Sequence, residues 1–147
     1  MSEDGSTPRI LVSNRQGIAV DEPGLVALAR DVLAGERFER SELSVSLVEP
    51  EEIARLHVEY MHEEGPTDVL SFPLDEDDRD EDDVRLLGDV VIAPAVAAAN
   101  HPDDSASEMR LLLVHGILHL LGHDHAEENE RRAMWAIQER YTGVAVP

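Results

Sequence analysis

The sequence predicts a single-domain α/β (α+β) protein, with a small mixed sheet of about four strands packed with about five helices. Three observations predict it. The length, 147 residues, suits one hydrophobic core. Four short apolar or alternating runs, at 10–13, 43–47, 68–72 and 88–92, have the length and pattern of strands. The segments between and after them carry apolar residues at helical spacing, with helices dominating the C-terminal third.

Each element follows from local chemistry. Pro8 precedes the first strand. Asp21, Glu22 and Pro23 open a helix, since an acid suits its positive end and proline its first turn. Leu25, Leu28 and Val32 form that helix's core stripe, and Gly35 ends it. Leu43, Val45 and Leu47 alternate with Ser44 and Ser46, the mark of a half-buried strand. Pro50 opens a second helix with Ile53, Leu56 and Tyr60 on one face, broken at Gly65 and Pro66. Asp68 to Phe72 and Gly88 to Ile92 are the third and fourth strands, and Pro94 starts a short alanine-rich helix. Ser105 or Ser107 caps the next helix, and 126–141 forms the last, with Met134, Ile137 and Tyr141 inward. On its surface Glu127 with Arg131 and Glu128 with Arg132 form favourable i,i+4 pairs. One domain is expected over 1–147, with a disordered tail at 1–8 and a mobile, solvated acidic loop at 75–83.

Composition excludes several classes. There is no cysteine, hence no disulfide framework, thiolate metal site or cysteine nucleophile. Residues 1–8 are polar and lack a signal-like apolar stretch, and no apolar run approaches membrane-spanning length. A cytoplasmic protein without a membrane partner is the expectation. The formal charge is −20, and all twelve basic residues are arginine. Such an excess of acid argues against a broad nucleic-acid-binding track and leaves room only for a small local arginine cluster.

The densest chemical signal is 115–125, which reads His-Gly-Ile-Leu-His-Leu-Leu-Gly-His-Asp-His. His115 and His119 lie one helical turn apart and project from one face. Gly122 can end the helix in a left-handed turn, which lets His125 return towards them. Three imidazoles converging on one point suit zinc, one ion per chain, with an open fourth position. The alternative is a set of core histidines bonded to backbone carbonyls. The H-x3-H-x5-H spacing and the glycine match the metzincin signature, but the glutamate that serves metzincins as general base is replaced by Gly116. A peptidase built this way would lack its proton acceptor. Asp124 can orient a ligand imidazole, accept a proton as general base, or simply satisfy turn amides. His123 is a possible fourth ligand, although alternation about a tight turn points it away from the metal. Asp68, Ser71 and Asp89 sit at strand ends, where hydrogen bonding accounts for them. Trp135 lies off the core stripe of the last helix and either packs on an apolar edge or stacks on a base.

The histidine run and two upstream segments resemble the YbeY family of bacterial rRNA-maturation metallo-endoribonucleases. The family pattern H-G-x-L-H-L-x-G-Y-D-H is met by His115, Gly116, Leu118, His119, Leu120, Gly122, Asp124 and His125, with His123 in place of tyrosine. Residues 66–73, Pro-Thr-Asp-Val-Leu-Ser-Phe-Pro, match the family's P-T-D-V-L-S-F-P, and 88–92 are similar to its G-D-I-x-I strand. The resemblance implies a mixed four-stranded sheet and a zinc site of His115, His119 and His125. It implies hydrolysis of single-stranded RNA in small-subunit rRNA maturation and ribosome quality control, with the ribosome or its assembly proteins as partners. The family commonly carries arginine after the aromatic residue of the second helix, whereas here Tyr60 is followed by Met61. Arg55, with Arg110, is the candidate for holding substrate phosphates in its stead. Two other readings stay open at this point. One is a non-catalytic, zinc-stabilised ribosome-assembly factor, and the other is a metal-dependent hydrolase of another bond, such as a peptidase.

Overall fold

The computed structural model describes residues 7–61, 67–75, 77–123 and 127–143. Among them the elements run β1 (Arg9–Arg15), α1 (Glu22–Gly35), β2 (Ser41–Val48), α2 (Pro50–Met61), β3 (Val69–Pro73), β4 (Arg85–Ile92), α3 (Pro94–Asn100), α4 (Ser105–Leu120) and α5 (Glu128–Thr142). The four strands form one mixed sheet in the order β1-β2-β4-β3. β1 pairs with β2 and β2 with β4 in parallel, while β3 closes the edge antiparallel to β4. Thus the expected α+β architecture is what the chain adopts.

Alternation along the strands sorts the helices onto two faces. Leu43, Val45, Leu47, Val90 and Ile92 point to the larger core, which they share with α1, α4 and Met134 of α5. Val48, Leu70 and Val91 point the other way, to a smaller core with Ile53 of α2. α4 is the central helix. Met109, Leu112, Leu113, Val114, Ile117, Leu118 and Leu120 are all buried on it. So broad an apolar surface needs neighbours on several sides, which α1, α3, α5 and the strands β3 and β4 supply.

The boundaries show where local chemistry decides. Asp21 caps α1 as expected, its carboxylate accepting from the Gly24 amide at 3.1 Å. α4 differs from expectation, because Asp104 caps it by accepting from the Ser107 amide at 3.2 Å. An acid one residue earlier completes the first turn and complements the helix dipole. β4 starts at Arg85, three residues before the predicted strand, because Arg85 and Leu86 pair with Ser41 and Glu42 of β2. That extension organises the acidic stretch. Asp80 accepts from the Val84 and Asp82 amides, Arg9 bridges to Asp80, and Arg79 pairs with Arg85 as an isolated bridge. The described residues of 75–83 are largely exposed and carry turns of their own. Of the expected tail at 1–8, residues 1–6 lie outside the described residues. Pro8 is buried, and its carbonyl accepts from Arg30 Nε at 3.3 Å. Tyr60 also departs from its predicted inward face. It is 57% exposed and meets Phe72 edge-on at 5.5 Å between ring centres.

Candidate metal centre

α4 carries two of the three predicted histidines and ends as the glycine signal requires. The amide of Gly122 donates to His119 O at 3.1 Å and that of His123 to Leu118 O at 3.0 Å, the paired bonds of a Schellman motif. Gly122 has φ +99°, a conformation a side chain would resist. This turn redirects the chain directly after His119. Asp124, His125 and Ala126 lie outside the described residues, so the third predicted ligand and the candidate base have no described position.

The two described histidines meet. Nε2 of His115 and Nε2 of His119 are 3.1 Å apart, with ring planes inclined at 74°. Two nitrogens bound at 2.0–2.1 Å to a tetrahedral zinc stand about 3.3–3.4 Å apart, so the pair needs to move only a few tenths of an ångström to chelate. Both rings are partly buried and open on a cleft of 360 Å³, whose other wall is Val69, Leu70, Ser71 and Pro73 of β3. Among the described residues no group of three histidine or carboxylate side chains gathers within metal-binding reach. The described donor set is therefore two imidazoles, which fits a borderline divalent metal completed by a further ligand.

Gly116 explains why the metzincin glutamate is missing. A Cβ there would stand 2.6 Å from Val90 Cγ1 and 3.3 Å from Ser71 Oγ. α4 lies so close to the sheet that any side chain at this position must displace Val90. The Ser71 hydroxyl donates to the Gly116 carbonyl at 3.0 Å, which ties the cleft wall to the helix.

Other sequence candidates fall elsewhere. His123 turns to α1, its Nε2 3.9 Å from Glu36 Oε1, and Glu36 also accepts from the Tyr141 hydroxyl at 2.8 Å. Asp89 faces the α2 side of the sheet, opposite the histidines, where the Ser46 hydroxyl donates to it at 3.0 Å. Burial pushes the Asp89 carboxyl above the usual range, against the opposing pull of Ser46 and Arg15. Asp68 offers its backbone carbonyl to Ala93 at 3.0 Å. Arg55 is exposed on α2, on the face away from α4. Arg110 does not border the histidine cleft. It lines a separate 380 Å³ cavity with Leu25, Leu28 and Asp31 of α1 and with Met109 and Tyr141. Trp135 is partly buried beneath Arg131, 5.8 Å from its ring centre.

The residue that sequence reasoning missed is Gln138. It is 2% exposed, and its Oε1 lies 2.8 Å from His115 Nδ1. Its spacing of four from Met134 was the available signal, a polar residue on the inward stripe of α5.

The family model for Endoribonuclease YbeY matches residues 11–144. The chain belongs to the YbeY family. A protein named Endoribonuclease YbeY from Frankia casuarinae is 50% identical over 145 residues, covering 89% of this chain and 71% of its own. One of the same name from Acidothermus cellulolyticus is 50% identical over 139 residues, covering 86% and 85%. The solution structure of TM1509 from Thermotoga maritima shares the fold with a TM-score of 0.58 at 26% identity, covering 90% of this chain and 86% of that one. YbeY relatives are thus named as endoribonucleases, hydrolases of phosphodiester bonds in RNA. Among the described residues no helix is long and apolar enough to cross a membrane.

Proposed function

We propose that this endoribonuclease holds one zinc ion per chain through His115, His119 and His125. In this reading it cleaves single-stranded RNA in small-subunit rRNA maturation and ribosome quality control, in the cytoplasm, with the ribosome or its assembly proteins as partners. The observation that carries the reading is the 3.1 Å approach of the two imidazole nitrogens at the mouth of the β3–α4 cleft, in a chain of the YbeY family. Bound there, zinc would polarise a phosphoryl oxygen and lower the pKa of a water towards about 7.

The chain's own residues supply position and access. The Schellman turn at Gly122 sends the chain from His119 towards Asp124 and His125. Asp124 would orient an imidazole or accept the proton from the attacking water. β3 forms one wall along which an RNA strand would lie. Arg55, on the outer surface of α2, would meet a phosphate flanking the scissile bond beyond that edge. With a formal charge of −20, few such contacts are available, and a shallow salt dependence follows at about 0.7 per neutralised phosphate. A peptidase reading is disfavoured by the closed space at Gly116, where an acidic side chain would have to displace Val90.

The test is incubation of zinc-loaded and chelator-treated protein with a single-stranded RNA, beside His119→Ala. Cleavage by the zinc-loaded wild type alone supports the proposal. Zinc retained without any cleavage would replace it with a non-catalytic assembly factor.

A further inference from the structure

We propose that Gln138 is a positioning residue that fixes the tautomer of His115 and so presents its Nε2 lone pair to the metal. The inference rests on the reading that His115 is a ligand. Gln138 projects from α5, twenty-three residues along the chain, into the larger core against α4. A buried polar side chain must be bonded, and here the bond is specific. The amide oxygen can only accept, so the proton at the 2.8 Å contact belongs to His115 Nδ1. A neutral imidazole has one N–H, and with Nδ1 protonated its Nε2 holds the lone pair. That Nε2 is the atom facing Nε2 of His119 at 3.1 Å.

The surroundings of Gln138 hold it in place. One turn before it Met134 is fully buried, and one turn after it the Thr142 hydroxyl donates to the Gln138 carbonyl at 2.8 Å. Gly143 then ends α5 in a left-handed turn at φ +71°. The helix is therefore anchored on both sides of the contact, and ring orientation passes from α5 to α4. An ordinary core hydrogen bond would serve stability alone, whereas a positioning bond changes metal affinity as well. A carboxylate at this place would keep the acceptor and lose only the amide's donor.

The experiment uses the full chain and zinc alone as probe. Zinc affinity is measured by competition with a chromophoric chelator for wild type, Gln138→Met, Gln138→Glu and His119→Ala. The 15N shifts of His115 are recorded in the metal-free protein. Wild type should show the proton on Nδ1 of His115. Gln138→Met should bind zinc about 10- to 100-fold more weakly, and Gln138→Glu should restore wild-type affinity. A His115 proton on Nε2 in wild type overturns the inference without any variant. Wild-type zinc affinity in a folded Gln138→Met, with His119→Ala having lost the metal, overturns the positioning role and leaves the histidine site standing. Equal zinc binding by wild type and His119→Ala removes the histidine site itself, and the inference with it.

Discussion

α4 and α2 cover opposite faces of one sheet, and they do so differently. α4 has eight buried residues and approaches the strands so closely at Gly116 that a methyl group would collide with Val90. α2 buries Ile53 fully and Leu56 in part, while its Val58 and Tyr60 stay exposed. Close packing leaves the helix no freedom to rotate, and it is the closely packed helix that carries the histidines. The face under α2 is looser and more polar, with Ser46 and the half-buried Asp89 between the strands and solvent. Precision at the candidate site thus comes from the helix–sheet contact, and the opposite face can tolerate change.

Substitutions on the two faces should differ accordingly. The largest effect is expected from Gly116→Ala. Alanine favours a helix by about 1 kcal/mol over glycine, but the added carbon must displace Val90 or lift α4, and such overpacking costs about 1–3 kcal/mol. Chemical denaturation should show net destabilisation, and zinc affinity should fall because His115 flanks the shifted residue. A stabilised variant with unchanged zinc affinity would show that the contact does not hold the site. On α2, Tyr60→Ala removes only an exposed edge contact with Phe72 and should cost about 0.5 kcal/mol, with zinc affinity unaltered.

The smallest effect concerns Asp89. Burial raises its carboxyl in the folded state, so folding favours the protonated form. Its contribution is fully present below the unfolded value, about 4, and is lost as pH rises through the higher folded value. Asp89→Asn should therefore melt slightly higher than wild type at neutral pH. The gap should close as pH falls towards about 4. A gap that widens on acidification would mean that Ser46 and Arg15 outweigh burial.

The same contrast marks what the sequence could reveal. The turn-spaced His115 and His119, the glycine that stops their helix, and the capped α1 are local patterns, and they stand in the structure as read. The sheet also followed from alternation, because a face is a property of every second residue. Tyr60 shows where periodicity misleads. It shares a stripe with Ile53, yet it stays 57% exposed and meets the sheet only through the edge of Phe72. Asp104 was hidden by neighbouring capping residues of similar merit, Ser105 and Ser107. Gln138 was hidden for another reason. Its meaning depends on which histidine nitrogen α5 meets after the chain has turned, and that is a tertiary fact. Gly116 reads in sequence as a missing base and in structure as a contact point.

X-ray absorption at the zinc edge, on protein loaded with one equivalent of zinc, tests the central claim most directly. One ion per chain with imidazole nitrogens at about 2.0–2.1 Å is expected, with loss of that signature in His119→Ala. Ligation by oxygen alone, or an unchanged spectrum in His119→Ala, would contradict it.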